Sequence, residues 1–343
     1  MKISVCIALC VLMLSCGEST SSRIPDHDSP PKMYKTVGIV DRLSPKIDQY
    51  VPADAKIEVL AEGFSWSEGP LWLADQKKLI WSDVPRNIVY AWTEADSLSE
   101  YLNPSGLTGD QSVPGQGGSN GLMLGIDGSL ILCQHGDRRV AKMNTDPASP
   151  SPAYTTIADN WQGKRLNSPN DLAYGPEGVI YFTDPPYGLP NREEDSTKEI
   201  SFNGVYKTTE TTEAILMDSS LTRPNGIAFN ADMTRCYVAN SDPEKMIWMV
   251  YDLDENHNLI NGRVFFDATD LVATKKGSAD GLKVNKAGII FATGPGGVLI
   301  FSPEGEHLGT IETGERVANC CFNEDESVLY MTSNMFVARI ALR

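Results

Sequence analysis

The chain is short of several things, and each shortage removes a class of function. Its apolar N-terminal stretch, Ile3 to Leu14 behind Lys2, is about twelve residues long, too short for the roughly 20 that a membrane-spanning helix needs. No long segment carries apolar residues at a 3.6-residue period, which excludes a helical bundle or helical repeat. Positive charge is scarce: 29 Lys and Arg stand against 45 Asp and Glu, a net charge of -16. Without a basic footprint, nucleic acid is excluded as a partner, and no basic amphipathic stretch suggests a face that inserts into a membrane. Cysteine is sparse beyond the N-terminal segment. Only Cys133, Cys236, Cys320 and Cys321 remain. Adjacent Cys320 and Cys321 point to opposite faces of a strand, and Cys133 and Cys236 lie in separate repeats, so no disulfide framework is expected. All four read as small buried hydrophobes.

The N-terminal stretch has the charged start and short apolar centre of an export signal. Met13-Leu14-Ser15-Cys16 resembles the cleavage box of a bacterial lipoprotein, with Cys16 the lipidated residue. The expectation is therefore an exported protein, lipid-anchored in the periplasm or at the cell surface, which meets the membrane only through that anchor. Residues 17–52 are rich in Ser and Pro and read as a flexible tether. Residues 53–343 are left for one folded domain.

That domain repeats. An Asn, Asp or Glu precedes a short apolar run at Glu68, Asn120, Asn170, Asn225, Asp280 and Asn319, with spacings of 52, 50, 55, 55 and 39 residues. A second apolar run follows within about ten residues of each (KLIWSD, SLILCQH, GVIYFTD, RCYVAN, GIIFATG, VLYMTS). Repeats of this length, with period-2 alternation and Gly and Pro punctuation, match four-stranded propeller blades. The fold class is all-β, a six-bladed β-propeller. After Asn319 only three strands fit, so the N-terminal IEVLA (57–61) is expected to complete the last blade and close the ring.

In a propeller the innermost strands line a central channel, so the six repeat-start residues converge at one mouth. Two carboxylates and four carboxamides, with no imidazole or thiolate, favour a hard divalent cation, Ca²⁺ or Mg²⁺, over a soft one. Asn-Gly and Asp-Gly are also strong turn signals, yet turns leave Glu68, Asn170 and Asn319 unexplained. A second ring is expected where the second strand of each repeat ends: Asp83, His135, Asp184, Asn240, Gly294 and Ser333. His135, the only His among them, is a candidate proton carrier.

EGPLW, SNGL, HGDRRV, GKRLNSPNDLAYGPEGVIYFTDPPYG, RPNGIAF, ADGLKV and VANCCF together resemble the senescence-marker-protein, gluconolactonase and luciferin-regenerating-enzyme-like family, in particular its bacterial gluconolactonases. The resemblance runs from about residue 57 to the C-terminus. It implies a calcium-bearing propeller that hydrolyses sugar lactones, a carboxylic ester hydrolase, with organophosphate hydrolysis in a related branch. Carried over by motif, Glu68, Asn170, Asn225 and Asp280 would hold the metal: Ca²⁺ first, with Mg²⁺, Zn²⁺ and Mn²⁺ as alternatives. In some members the Asn170 position serves substrate instead. The implied mechanism has the metal polarise the lactone carbonyl while water attacks, Asp280 or His135 taking the proton. Asn120, Arg165, Asn170, Tyr187 and Asn319 are the expected substrate contacts. The competing reading is a surface-tethered binding propeller whose metal is structural. Gly117-Gly118-Ser119-Asn120-Gly121 matches G-x-S-x-G, but an apolar strand follows where that motif requires a helix, so Ser119 is not expected to be a nucleophile. The identity of the lactone and the oligomeric state are not legible in these residues.

Overall fold

Runs such as LILC and KLIW are apolar at consecutive positions because both faces of each strand are buried. The computed structural model, which describes residues 32–109, 117–208 and 211–343, folds them into six antiparallel sheets. Blade 1 comprises Ser67–Leu73, Lys78–Asp83, Ile88–Thr93 and Ser97–Leu102. Blade 2 comprises Ser119–Leu124, Leu130–Gln134, Arg139–Met143 and Tyr154–Ala158. Blade 3 holds Leu172–Tyr174, Ile180–Asp184, Gly204–Lys207 and Ile215–Asp218. Blade 4 holds Pro224–Phe229, Arg235–Asp242, Lys245–Leu253 and Leu259–Asp267. Blade 5 runs Leu282–Val284, Ile290–Gly294, Gly297–Phe301 and His307–Glu312. Blade 6 runs Asn319–Phe322, Val328–Ser333 and Phe336–Ala341, and its fourth strand is the N-terminal Ile57–Glu62. The innermost strand of every blade touches its neighbours on both sides, so the six-bladed β-propeller is closed. It closes as the sequence predicts, with Val337 opposite Ala61.

The core is divided among the blade interfaces. Six apolar clusters fill the six gaps, and alternate residues of one strand go to different gaps. Ile80 packs toward blade 2 while Leu79 and Trp81 pack toward blade 6. Cys320 and Cys321 separate in the same way, and all four described cysteines are free and buried. Trp81, Trp92 and Trp248 are almost wholly enclosed. Burial of a large apolar side chain contributes ~1.5–3 kcal/mol, so the gaps, rather than the strand pairings, hold the blades radially.

The expected tether is corrected in its second half. Lys35–Val37 pairs with Ile57–Val59 at the edge of blade 6, and Ile39–Arg42 pairs with Gly309–Glu312 at the edge of blade 5. Between them Gly38 has φ +64°, and a Cβ there would lie 1.8 Å from the Glu312 carbonyl oxygen, so only glycine passes. Ile47 and Val51 are then completely buried in the gap between blades 5 and 6. Ser and Pro punctuation concealed this strap, in which Ile47 and Val51 find a pocket while the segments 35–37 and 39–42 cover open sheet edges. The export signal, Cys16 and residues 17–31 lie outside the described residues.

Candidate active site

The repeat-start residues reach the channel because the innermost strands are irregular where they begin. In blades 1, 2 and 4 the register shifts between Glu68 and Leu71, between Ser119 and Leu122, and between Pro224 and Ile227. Bulges of this kind release a residue from the ladder and re-aim its side chain. The glycine after the ring residue has a different reason from a hairpin turn. A Cβ on Gly69 would fall 2.0 Å from the Asn120 carbonyl oxygen, and one on Gly226 would fall 2.2 Å from that of Asp280. Neighbouring blades meet backbone to backbone there. Hydroxyls reinforce the seams: Ser82 donates to the Asn120 carbonyl at 2.8 Å, and Thr183 to that of Asn225 at 2.6 Å.

Above these residues opens a cavity of about 480 Å³, with Glu68, Asn120, Asn170, Asn225 and Asp280 in its lining. Glu68, Asn120, Asn170 and Asn225 are buried and Asp280 is half-buried. The Glu68 carboxylate accepts from the Trp66 indole at 3.3 Å and from the Gly69 amide at 3.2 Å. Burial, with the Asp171 carboxylate nearby, pushes Glu68 up to about 7. Asp280 is raised well above the carboxylate range by burial, by Glu68 and by Asp171. Asp171 is raised as well by burial, although Lys283, the Leu172 amide and Asn319 favour its charged form. Three carboxylates are thus crowded where one modest cation, Lys283, offsets them.

The carboxamides are short of partners. The buried Oδ1 atoms of Asn120 and Asn225 accept no hydrogen bond from the described residues. Orphaned oxygens of this kind cost free energy unless something else binds them. Two under-compensated carboxylates beside unpaired amide oxygens form an oxygen donor set that fits a hard divalent cation. Among the described residues no three His, Cys, Asp or Glu side chains cluster as a metal site, so any such site depends on the carboxamides.

The second ring does something else. Asp83 accepts from the Ser65 and Trp66 amides at 2.9 and 3.2 Å, and Asp184 from the Asn167 and Ser168 amides, both at 2.7 Å. Asn240 accepts from the Arg223 amide at 2.7 Å, and Ser333 donates to the Arg316 carbonyl at 3.2 Å. Each clamps the loop that delivers the ring residue of its own blade. Burial pushes Asp184 up to about 7 against the pull of its two amides.

Three expected site residues lie elsewhere. His135 is absent from the cavity lining and fully buried, with both ring nitrogens unpartnered, and burial pulls it down to about 3. The loop that presents Tyr187 to the cavity lays Gly188 over it, so close that a Cβ on Gly188 would lie 2.7 Å from that of His135. Arg165 lies in a separate shallow groove, where it donates to the Asp137 carbonyl at 3.0 Å. Asn319 is spent below the ring: its Nδ2 donates to Asp171 at 3.3 Å and its Oδ1 accepts from the Cys320 amide at 2.8 Å. Ser119 sits in a strand with its hydroxyl on Ser82 at 2.8 Å. Tyr187 does line the cavity and is hydrogen-bonded to Ser241. Sequence reasoning missed Ser241, at the end of the second strand of blade 4, and Trp66, Arg192, Arg223, Lys275, Lys276 and Arg316, which come from loops without repeat spacing.

A closed propeller whose mouth gathers carboxylates and unpaired carboxamides at the floor of a cavity is a built site for an oxygen-rich ligand or a hard cation, and comparison with known proteins says which family uses it. Residues 66–335 match the model of the SMP-30/gluconolactonase/LRE-like region, and the chain belongs to that family. It is 37% identical over 318 residues to a gluconolactonase of Zymomonas mobilis, covering 89% of this chain and 86% of that protein. Among solved structures, a Xanthomonas campestris gluconolactonase superposes with a TM-score of 0.77 at 26% identity, covering 92% and 99% of the two chains. A calcium-binding regucalcin from Agrobacterium tumefaciens shares the fold, with a TM-score of 0.62 at 19% identity and 83% and 93% coverage. The chain is a lactone-hydrolysing enzyme, a carboxylic ester hydrolase.

Proposed function

We propose that hydrolysis depends on a divalent cation, Ca²⁺ by preference, held by Glu68, Asn170, Asn225 and Asp280. The observation that carries this reading is the unpartnered Oδ1 of buried Asn225 beside two carboxylates that burial and mutual repulsion hold toward protonation. When bound, the cation would polarise the lactone carbonyl and neutralise the crowded carboxylates.

The remaining chemistry belongs to the chain. Asn120, with a free carbonyl oxygen, and Tyr187, with its phenol on Ser241, face the cavity and would orient sugar hydroxyls. Water adds to the lactone carbonyl carbon and gives its proton to Asp280, the less buried of the two carboxylates among the described lining residues. The acyl carbon–ring oxygen bond then breaks, and the ring oxygen leaves as a hydroxyl after taking that proton. His135 takes no part, because the loop of residues 185–189 covers it. Export and a lipid anchor at Cys16 are proposed on the N-terminal sequence alone.

A pH-stat assay on several aldonolactones tests the reading. Acid release is expected to stop in chelator and to return on adding Ca²⁺. A rate indifferent to chelator would overturn the metal's role.

A further inference from the structure

The cavity is acidic only at its floor. Arg192, Arg223, Lys275, Lys276 and Arg316 also line it, from a loop of blade 3 and the loops that join blades 3 to 4, 4 to 5 and 5 to 6, whereas Glu68 and Asp280 are the only carboxylates among its described lining residues. Lys275 is neutralised by Glu312 at 2.6 Å and Lys276 by Glu315 at 3.2 Å. The three arginines are not. No carboxylate among the described residues lies within 4.0 Å of Arg192, Arg223 or Arg316, although Arg223 feels the more distant charge of Asp242. Arg192 is held over the Tyr187 ring at 5.7 Å, so its guanidinium is placed by stacking rather than by an ion pair.

Three guanidinium groups with no described carboxylate in salt-bridge range gather around one opening in a chain of net charge -16. They do nothing for a neutral sugar that hydrogen bonds could not do without charge. Guanidinium is suited to bidentate recognition of carboxylate or phosphate, and a focused positive field steers anions inward. Resting on the lactonase reading, we propose that the physiological substrate is an anionic sugar lactone, with a carboxylate or phosphate remote from the ring carbonyl that engages Arg192, Arg223 and Arg316 while the carbonyl meets the floor. An aldarolactone and a phosphorylated aldonolactone share this chemistry.

The test compares glucono-1,5-lactone, its 6-phosphate and a glucarolactone in the Ca²⁺-loaded enzyme. At low salt kcat/KM is expected to favour one of the anionic lactones by about tenfold or more. That preference should shrink to about twofold in 0.5 M salt and in an Arg223→Gln/Arg316→Gln double variant, and it should largely return in Arg223→Lys/Arg316→Lys. Calorimetry with glucitol and glucitol 6-phosphate supplies a readout without lactone chemistry: the phosphate should bind about tenfold more tightly to the native protein only. Equal or better hydrolysis of the neutral lactone, or an anion preference that survives both glutamines, would overturn the inference and leave the lactonase reading standing. If no lactone were hydrolysed, the lactonase reading would fall and the calorimetry would still decide whether the arginines select anions.

Discussion

The two rings at the mouth both use Asp and Asn side chains and end in opposite conditions. In the outer one, Asp83, Asp184 and Asn240 accept backbone amides of their own blades, so their polar atoms are consumed by structure. In the inner one, Asn120 and Asn225 keep unpartnered oxygens, and Glu68 and Asp280 are crowded carboxylates. Residue type does not separate scaffold from site. The separation lies in how fully the backbone satisfies each side chain: at the bulged strand starts Glu68 receives only the Gly69 amide and the Asn225 Oδ1 receives none.

The sharpest way to break this comparison is to exchange the consequences of mutation. Asp280→Asn is expected to lower kcat/KM by ~10³-fold, as when a preorganised electrostatic group is removed, with the thermal transition in chelator kept or raised. Asp83→Ala should do the reverse. It strands the Ser65 and Trp66 amides, which costs about 1–3 kcal/mol for each amide left unpaired, while the protein that remains folded keeps most of its turnover. Denaturant unfolding alongside the lactone assay reads both. Loss of activity without loss of stability in Asp83→Ala would erase the distinction.

A second contrast is in pH. Glu68 is pushed from its usual 4.5 up to about 7, so the folded state holds that proton more tightly than the unfolded chain. Its contribution is therefore fully present below about 4.5 and is lost as pH rises through about 7, a change on the order of 3 kcal/mol. In chelator, Glu68→Gln should match the native protein in thermal stability at pH 4.5 and exceed it by several degrees at pH 7.5. Calcium should narrow the gap by stabilising only the native ring. A gap that does not change with pH would mean that Glu68 is not under electrostatic strain.

The smallest expected effect sharpens the comparison from the other side. His135 belongs by spacing to the outer ring, and although its nitrogens are unpartnered, Gly188 covers it. His135→Gln should change kcat by less than about threefold and leave the pH–rate profile in place. Loss of a titration from that profile would restore His135 as a proton carrier.

How much was legible follows the same division. Blade number, ring closure by residues 57–61 and the convergence of Glu68, Asn120, Asn170, Asn225 and Asp280 could be read from spacing, since repeat position determines radial position in a propeller. The strap at residues 35–51 could not, because isolated residues such as Ile47 and Val51 carry no periodicity. Asn319 has the right spacing, yet Asp171 captures its amide, an interaction between blades 3 and 6 that no linear pattern records. Arg165 was drawn toward the site by its closeness in sequence to Asn170, but a two-residue pairing of Asn160 with Arg165 turns that segment outward. Arg192, Arg223 and Arg316 were missed for the converse reason: Arg192 comes from a loop inside blade 3 and Arg223 and Arg316 from loops between repeats, and only the folded chain gathers them around one opening.

The central claim is that unpaired inner-ring oxygens exist to hold a cation that the reaction needs. Calcium titrated calorimetrically into chelator-stripped protein, with lactone hydrolysis followed on the same samples, tests it most directly. The account predicts one equivalent bound per chain, activity rising in proportion to occupancy, and both lost together in Asn225→Ala. Full turnover in stripped protein, or calcium binding that survives Asn225→Ala and Glu68→Gln alike, would contradict it.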